Sequence, residues 1–267
     1  MKQTLLANGR RIVYNAGVPL KGLPLVLLHG FCEDAAVWES VLPGWGDLPV
    51  VRVNLPGFGG SDLPPAPGMD ACADAVCAVL NDLSIERCVL VGHSMGGYAA
   101  LEFAEKYPER LSGFGLFHSH PWEDTPERKE HRRRGIGMLQ AGKRDLYVAQ
   151  LFPGLFAPVF AKAYPEVVDQ LIGHGKRQRV EGIIAALEGM IGRKDHSRTL
   201  RDAACPVLFL LGAEDPIIPQ AEALRAAVLP DIADVHVLPG VGHMGMFEAP
   251  EKVVEIVRQF WEFCARR

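Results

Sequence analysis

Short apolar runs alternate with longer amphipathic stretches along most of the chain. Residues 23–28, 50–53, 89–91, 111–117, 205–211 and 235–238 are apolar and mostly end at Gly, Pro, Asn or a polar cluster, so they read as strands. Between them, residues 70–83, 98–106, 220–228 and 248–263 place apolar side chains at helical spacing, and 33–42 predicts a further short helix. Residues 3–6 and 11–14 flank Asn8-Gly9, a hairpin signal. Strands alternating with helices predict an α/β fold: a mostly parallel sheet with helices on both faces. From 121 to 198 the alternation stops. That stretch has helical periodicity in 126–140, 143–151, 157–172 and 179–191 and no strand candidate. It reads as an inserted all-helical cap above the strand ends. The expected organisation is a core of 1–120 and 199–267, with the cap at 121–198.

Composition narrows the class. The 267 residues are 48% hydrophobic and 22% charged, which suits one compact domain carrying an insertion. A net charge of -4 gives no general attraction to nucleic acid or to an anionic membrane. The first residues lack the apolar run of a signal peptide, and no stretch is long enough to span a bilayer. The expectation is a cytoplasmic monomer or homodimer that acts on a small molecule. None of the six cysteines forms C-x-x-C or pairs with a His at zinc-ligand spacing, so they read as free thiols. Charge is uneven along the chain. Fourteen Lys/Arg face ten Asp/Glu within 121–198, against fourteen and twenty-two elsewhere, so the cap is near +4 and the rest near -8. The run 128–134 carries much of this excess. It is either a solvated helix face or a basic rim that attracts anionic substrates.

The chemistry starts at Gly92-His93-Ser94-Met95-Gly96, where an apolar strand meets an Ala/Leu-rich helix. Glycines on either side of Ser94 permit a turn too tight for a Cβ, which would lift the Ser94 hydroxyl clear of the sheet. A Gly-rich turn with an incidental Ser is the alternative. A nucleophile needs a base, and the base needs an orienting acid. His243 lies on a Gly-rich loop after the last strand, and Asp215 lies in a G-x-x-D-P turn just past the strand before it. All three stand at carboxyl ends of strands, where parallel sheets build their sites. Asp124 and Glu123, just past residues 111–117, are the competing acids, and Asp215 is preferred for its tight turn. His118 and His120 alone are weak evidence for a metal, and Gly135-Ile136-Gly137 lacks the third glycine of a dinucleotide fingerprint. Neither metal nor cofactor is expected.

These motifs, in this order, resemble the α/β-hydrolase family, in its serine esterase and haloperoxidase-like branch. His29-Gly30-Phe31 resembles the family's H-G loop, Gly92–Gly96 its elbow, 212–215 its acid turn and Gly242-His243 its histidine loop. The resemblance covers nearly everything outside the cap. It implies an oxyanion hole formed by the backbone N–H groups of Phe31 and Met95, and Ser94 at the nucleophile position excludes the Asp-nucleophile branch. Where many relatives carry Asp before the L-P-G-x-G loop, this chain has Asn54.

The expected activity is hydrolysis of carboxylic esters or related acyl compounds through an acyl-enzyme on Ser94. On the same triad, C–C bond hydrolase, lactonase and cofactor-free perhydrolase are the alternatives. A hydrolase-fold ligand receptor with little turnover is the alternative from another class. The expected pocket is mainly apolar, selects short to medium uncharged acyl groups, and is lined by His29, His118, Phe152, Phe156 and Phe160.

Overall fold

A computed structural model describes residues 2–5, 9–17 and 20–267. Its centre is an eight-stranded sheet made of β1 (Lys2–Leu5), β2 (Arg11–Ala16), β3 (Leu25–Leu28), β4 (Val50–Val53), β5 (Cys88–His93), β6 (Leu111–Phe117), β7 (Val207–Gly212) and β8 (Ala233–Leu238), in the spatial order β1-β2-β4-β3-β5-β6-β7-β8. β1 and β2 pair antiparallel, and β2 joins β4 antiparallel; every pairing from β4 to β8 is parallel. The predicted hairpin therefore forms, although Leu6 and the Asn8 side of its turn lie outside the described residues.

β3, β5, β6 and β7 are buried along their whole length, which explains their unbroken apolar sequences. β8, at the edge, is half-exposed and alternates. Four helices flank the sheet: α1 (Met69–Asp82), α2 (Met95–Lys106), α9 (Gln220–Ala227) and α11 (Pro250–Ala265). Register shows that α2 and α11 lie on opposite faces. Gly92 pairs with Leu116, and a Cβ on Gly92 would strike the Gly96 carbonyl in α2. Gly113 is of the other parity, and a Cβ there would strike Cys264 and Phe260 in α11.

Between β6 and β7 the chain forms α3 (Pro126–Gln140), α4 (Arg144–Leu151), α5 (Pro158–Ala163), α6 (Pro165–Gly175), α7 (Val180–Gly192) and α8 (Ser197–Arg201). No strand occurs there among the described residues. Three local expectations are corrected. The helix expected over 157–172 is broken at Tyr164, because Pro165 disfavours helical backbone in the residue before it and then opens α6. The helix expected over 33–42 is two 3-10 turns, Ala35–Trp38 and Leu42–Trp45. The last helix begins at Pro250, after a separate turn, α10 (Gly245–Glu248). Among the described residues, no helix is long and apolar enough to cross a membrane. All six cysteines are free, and burial raises the Cys32 thiol pKa well above its ordinary value, so it is a packing residue.

Candidate active site

Ser94 follows β5 and precedes α2 with φ of 50°, a left-handed conformation rare outside glycine. The sheet fixes this turn. Ser94 N–H donates to Phe117 O at 2.8 Å, and Ser94 O accepts from Gly97 N–H and from Ser119 Oγ, both at 2.9 Å. A Cβ on Gly96 would lie 2.6 Å from Leu28 O and 2.7 Å from His29 O. Glycine at 92 and 96 is thus a steric requirement for so tight an approach.

Asp215 stands at the end of β7 and His243 on the loop after β8. His243 Nδ1 donates to Asp215 Oδ2 at 2.8 Å. Asp215 Oδ1 accepts from the backbone N–H of Ile217 and Ile218 at 2.8 and 2.9 Å. His118 Nδ1 lies 3.1 Å from the same Oδ2. Burial by itself would raise the Asp215 pKa, but the His243 charge and hydrogen bonds from His118 and His243 hold it well below the usual carboxylate range. Burial pushes His118 down to about 4 against the pull of Asp215. Asp124 has other partners: Arg132 Nε and Nη2, and Arg193 Nη1 at 2.7 Å.

Behind Ser94 lies a second buried network. Glu33 Oε2 accepts from Gly30 N–H at 2.7 Å and faces His93 Nδ1 at 3.2 Å, while His93 Nε2 lies 2.9 Å from His243 O. Glu248 clamps the histidine loop, accepting from the N–H groups of Gly242, Met244 and Ala157. His243 N–H donates to Leu155 O at 2.7 Å. Residues 155–157 of the helical block are therefore bonded directly to the loop that carries His243. The motif reading passed over Glu33 and Glu248. A lone Glu beside a glycine loop has no period to betray it, and its partners are backbone N–H groups invisible in sequence.

Ser94 and His243 open into a cavity of about 390 Å³. Its apolar wall includes Phe31, Tyr147, Leu151, Leu187, Met190 and Ile218, and its polar wall includes Arg128, His131 and Arg132 of α3. The expected lining is corrected: His29, His118, Phe152, Phe156 and Phe160 are not part of this wall. His29 accepts from Leu55 N–H through Nε2 at 2.9 Å, and its Nδ1 lies 2.8 Å from Gly30 O, so it braces a loop. His118 is committed to Asp215. Phe152 is fully buried against α6, where a Cβ on Gly175 would meet its ring. Phe156, Phe160 and Tyr164 stack in a ladder with centroids 5.4 and 4.7 Å apart.

Among the described residues, two groups bring three ligand-type atoms within 4.8 Å: His118, Asp215 and His243, and Glu102, Glu105 and His196. In the first, both Nδ1 atoms face Asp215; in the second, Lys194 lies against both carboxylates and His196 sits between them. His118 and His120 do not converge, since His120 faces Trp122 N–H and Arg128.

Among solved structures, a thermophilic esterase from Thermogutta terrifontis is similar with a TM-score of 0.93, at 30% identity over 99% of this chain and 100% of that one. A 2-hydroxy-6-oxononadienedioate/2-hydroxy-6-oxononatrienedioate hydrolase from Burkholderia vietnamiensis is 30% identical over 88% of this chain and 86% of its own. The biotin biosynthesis bifunctional protein BioHC of Cellvibrio japonicus is 27% identical over 90% of this chain, which spans about half of that protein, 48%. The profile of the alpha/beta hydrolase family matches residues 25–256, and the chain belongs to that family.

Proposed function

We propose that the protein is a serine hydrolase that cleaves carboxylic esters through an acyl-enzyme on Ser94. The observation that carries this reading is the convergence of a strained Ser94 and an Asp215-oriented His243 on one cavity. Asp215 fixes the imidazole with its proton on Nδ1, which leaves Nε2 free to take the Ser94 proton. The alkoxide attacks the ester carbonyl. The backbone N–H groups of Phe31 and Met95 receive the oxyanion: Met95 is the first residue of α2, and neither N–H has a backbone acceptor among the described residues. His243 then protonates the departing alcohol. Water, deprotonated by His243, attacks the acyl-enzyme and releases the acid and free Ser94.

The helical block 121–198 acts in this scheme as a cap that closes the cavity over Ser94. Its Tyr147, Leu151, Leu187 and Met190 form the apolar wall opposite the nucleophile. The substrate is accordingly a small molecule.

The test is labelling and turnover. A fluorophosphonate should modify Ser94 alone, and Ser94→Ala should lose both labelling and hydrolysis of p-nitrophenyl acetate and butyrate. Steady turnover by Ser94→Ala would refute the assignment. C–C bond hydrolysis is a second reading, favoured by the likeness to the Burkholderia hydrolase across most of both chains. It predicts faster cleavage of a vinylogous 1,5-diketone than of any simple ester.

A further inference from the structure

The basic run of α3 splits into two faces with different fates. Lys129, Arg133 and Arg134 are taken up by Glu123 and Glu130 on the outside. Arg128, Arg132, Gly135 and Leu139 follow the spacing i, i+4, i+7, i+11 and form the inward stripe. Gly135 and Leu139 are buried, as that stripe demands. Its first two positions are arginines, and both line the cavity that holds Ser94 and His243, with His131 beside them.

Three guanidiniums stand there against the carboxylates of Asp124, Glu222 and Glu127, of which only Asp124 is buried. Asp124 is fully buried and is shared by Arg132 and Arg193, two guanidiniums on one carboxylate. Arg128 faces half-exposed Glu222 at 3.6 Å and donates to Ile217 O. Two donors remain unspent among the described residues. Arg132 uses only Nε and Nη2 on Asp124, while Arg193, whose buried Nη2 has no hydrogen-bond partner, lies over the Tyr98 ring and is not itself part of the wall. Burial, helped by Arg193 and Arg128, depresses the pKa of neighbouring His120 to about 3. Two acids also line the cavity. Glu33 is committed to His93, and Glu127 stands at the exposed mouth.

We propose that this cationic wall is a subsite for a carboxylate carried by the substrate away from its scissile ester. The inference rests on the acyl-enzyme reading of Ser94 and adds the substrate class, half-esters of dicarboxylic acids. Arg128 and Arg132 line the cavity while Glu222 and Glu127 are the more exposed groups, so the inner part of the wall suits an anion, and the arginine fork suits a carboxylate. A neutral acyl chain of the same length leaves the guanidiniums facing an apolar group, so it is disfavoured as well as less attracted.

The test compares monomethyl esters of succinic to suberic acid with methyl esters of the matching monoacids. At the best length, the half-ester should have a kcat/KM about tenfold higher, and the advantage should shrink at high salt. Arg128→Gln should bring the ratio to near one by lowering kcat/KM for the half-ester far more than for the neutral ester. Arg128→Lys should keep part of the preference, and Glu127→Gln should increase it. Calorimetry on the Ser94→Ala protein supplies a readout free of turnover: monomethyl adipate should bind about tenfold more tightly than methyl hexanoate, and adding Arg128→Gln should abolish the difference. A ratio near one in the parent protein, or a preference that survives Arg128→Gln, overturns the subsite while leaving Ser94 chemistry standing. Monomethyl adipate binding that depends on Arg128, with no turnover of any ester by the parent protein, keeps the subsite and overturns the acyl-enzyme.

Discussion

His93, the residue before Ser94, donates through Nε2 to the backbone carbonyl of His243 at 2.9 Å. A carbonyl only accepts, so that nitrogen carries a proton. Nδ1 faces the Glu33 carboxylate and needs a proton too. His93 is therefore an imidazolium, paired with ionised Glu33 in full burial. Burial opposes both charges. The Glu33 charge and hydrogen bond raise the His93 pKa above its ordinary value, while the His93 charge and the Gly30 N–H bond lower that of Glu33.

The pair makes stability depend on pH in a defined sense. The His93 contribution is complete below the unfolded value of 6.5 and is lost as pH rises through the raised folded value. The Glu33 contribution is present above the unfolded value of 4.5 and is lost as pH falls through the depressed folded value. The pair thus stabilises most between those two limits and erodes in alkali. Removing one partner of a buried pair costs about 3–5 kcal/mol. Glu33→Gln should lower Tm by the largest amount near pH 5.5 (roughly the middle of that window), and the gap to the parent should narrow in alkali. A gap independent of pH would show that the pair is not ionised.

Asp215 and Asp124 should separate cleanly. Asp215→Asn should cost about 10⁴-fold in kcat, the loss expected when the imidazole is held in the wrong tautomer. Asp124→Asn removes the counter-ion of Arg132 and Arg193. It should act mainly on Tm, by about 3 kcal/mol, because it leaves buried cations unpaired. His118→Phe removes the Nδ1 contacts to Asp215 Oδ2 and to the Gly212 N–H, of which a bond to the charged carboxylate is worth roughly 1.5–3 kcal/mol, and should lower kcat by about 10- to 100-fold. Steady-state kinetics and thermal melts on the three variants check this order.

The sheet was legible because its central strands are buried on both faces and so are continuously apolar. The positions of Ser94, Asp215 and His243 were legible because tight turns at strand ends need glycine or proline. What sequence hid was the pairing of charge with backbone. The motif around Ser94 shows nothing of the partner of His93, which bonds a carbonyl 150 positions away. The aromatic residues of the cap misled for a related reason. Helical spacing shows that Phe152 and Phe160 must be covered, but not by what, and helix neighbours claimed them before the cavity did.

Glu248 binds three N–H groups, those of Gly242, Met244 and Ala157, and so ties α10, the histidine loop and the helical block to one carboxylate. A Cβ on Gly242 would lie 2.7 Å from the Phe156 carbonyl carbon, so the segments already touch. Glu248→Ala leaves three buried donors short of an acceptor, each costing about 1–3 kcal/mol. It should lower kcat through a mobile His243, and it should increase hydrogen exchange at 155–157 and 242–244 together. Exchange increased at only one of the two segments would contradict the clamp.

Acyl-length selection should follow the cavity wall rather than the aromatic ladder. Phe156, Phe160 and Tyr164 stack on one another outside the wall, and Phe152 fills the interface with α6. Cutting Phe152 to Ala should cost about 3–5 kcal/mol of stability, as for any large buried aromatic. It should leave the order of preference among acyl lengths unchanged. Leu187 and Met190 instead present α7 to the same space as Ser94. Both are nearly fully buried, so truncation enlarges the cavity at the cost of some stability. Leu187→Ala and Met190→Ala should shift the optimum of a p-nitrophenyl acyl series from acetate upward by one or more methylenes, each worth about 0.8 kcal/mol of transfer free energy in the enlarged site. The measurement is kcat/KM across the series for the parent and the three variants, with Tm recorded for each. A shifted optimum in Phe152→Ala with none in Leu187→Ala or Met190→Ala would move the selecting surface to the aromatic core of the cap.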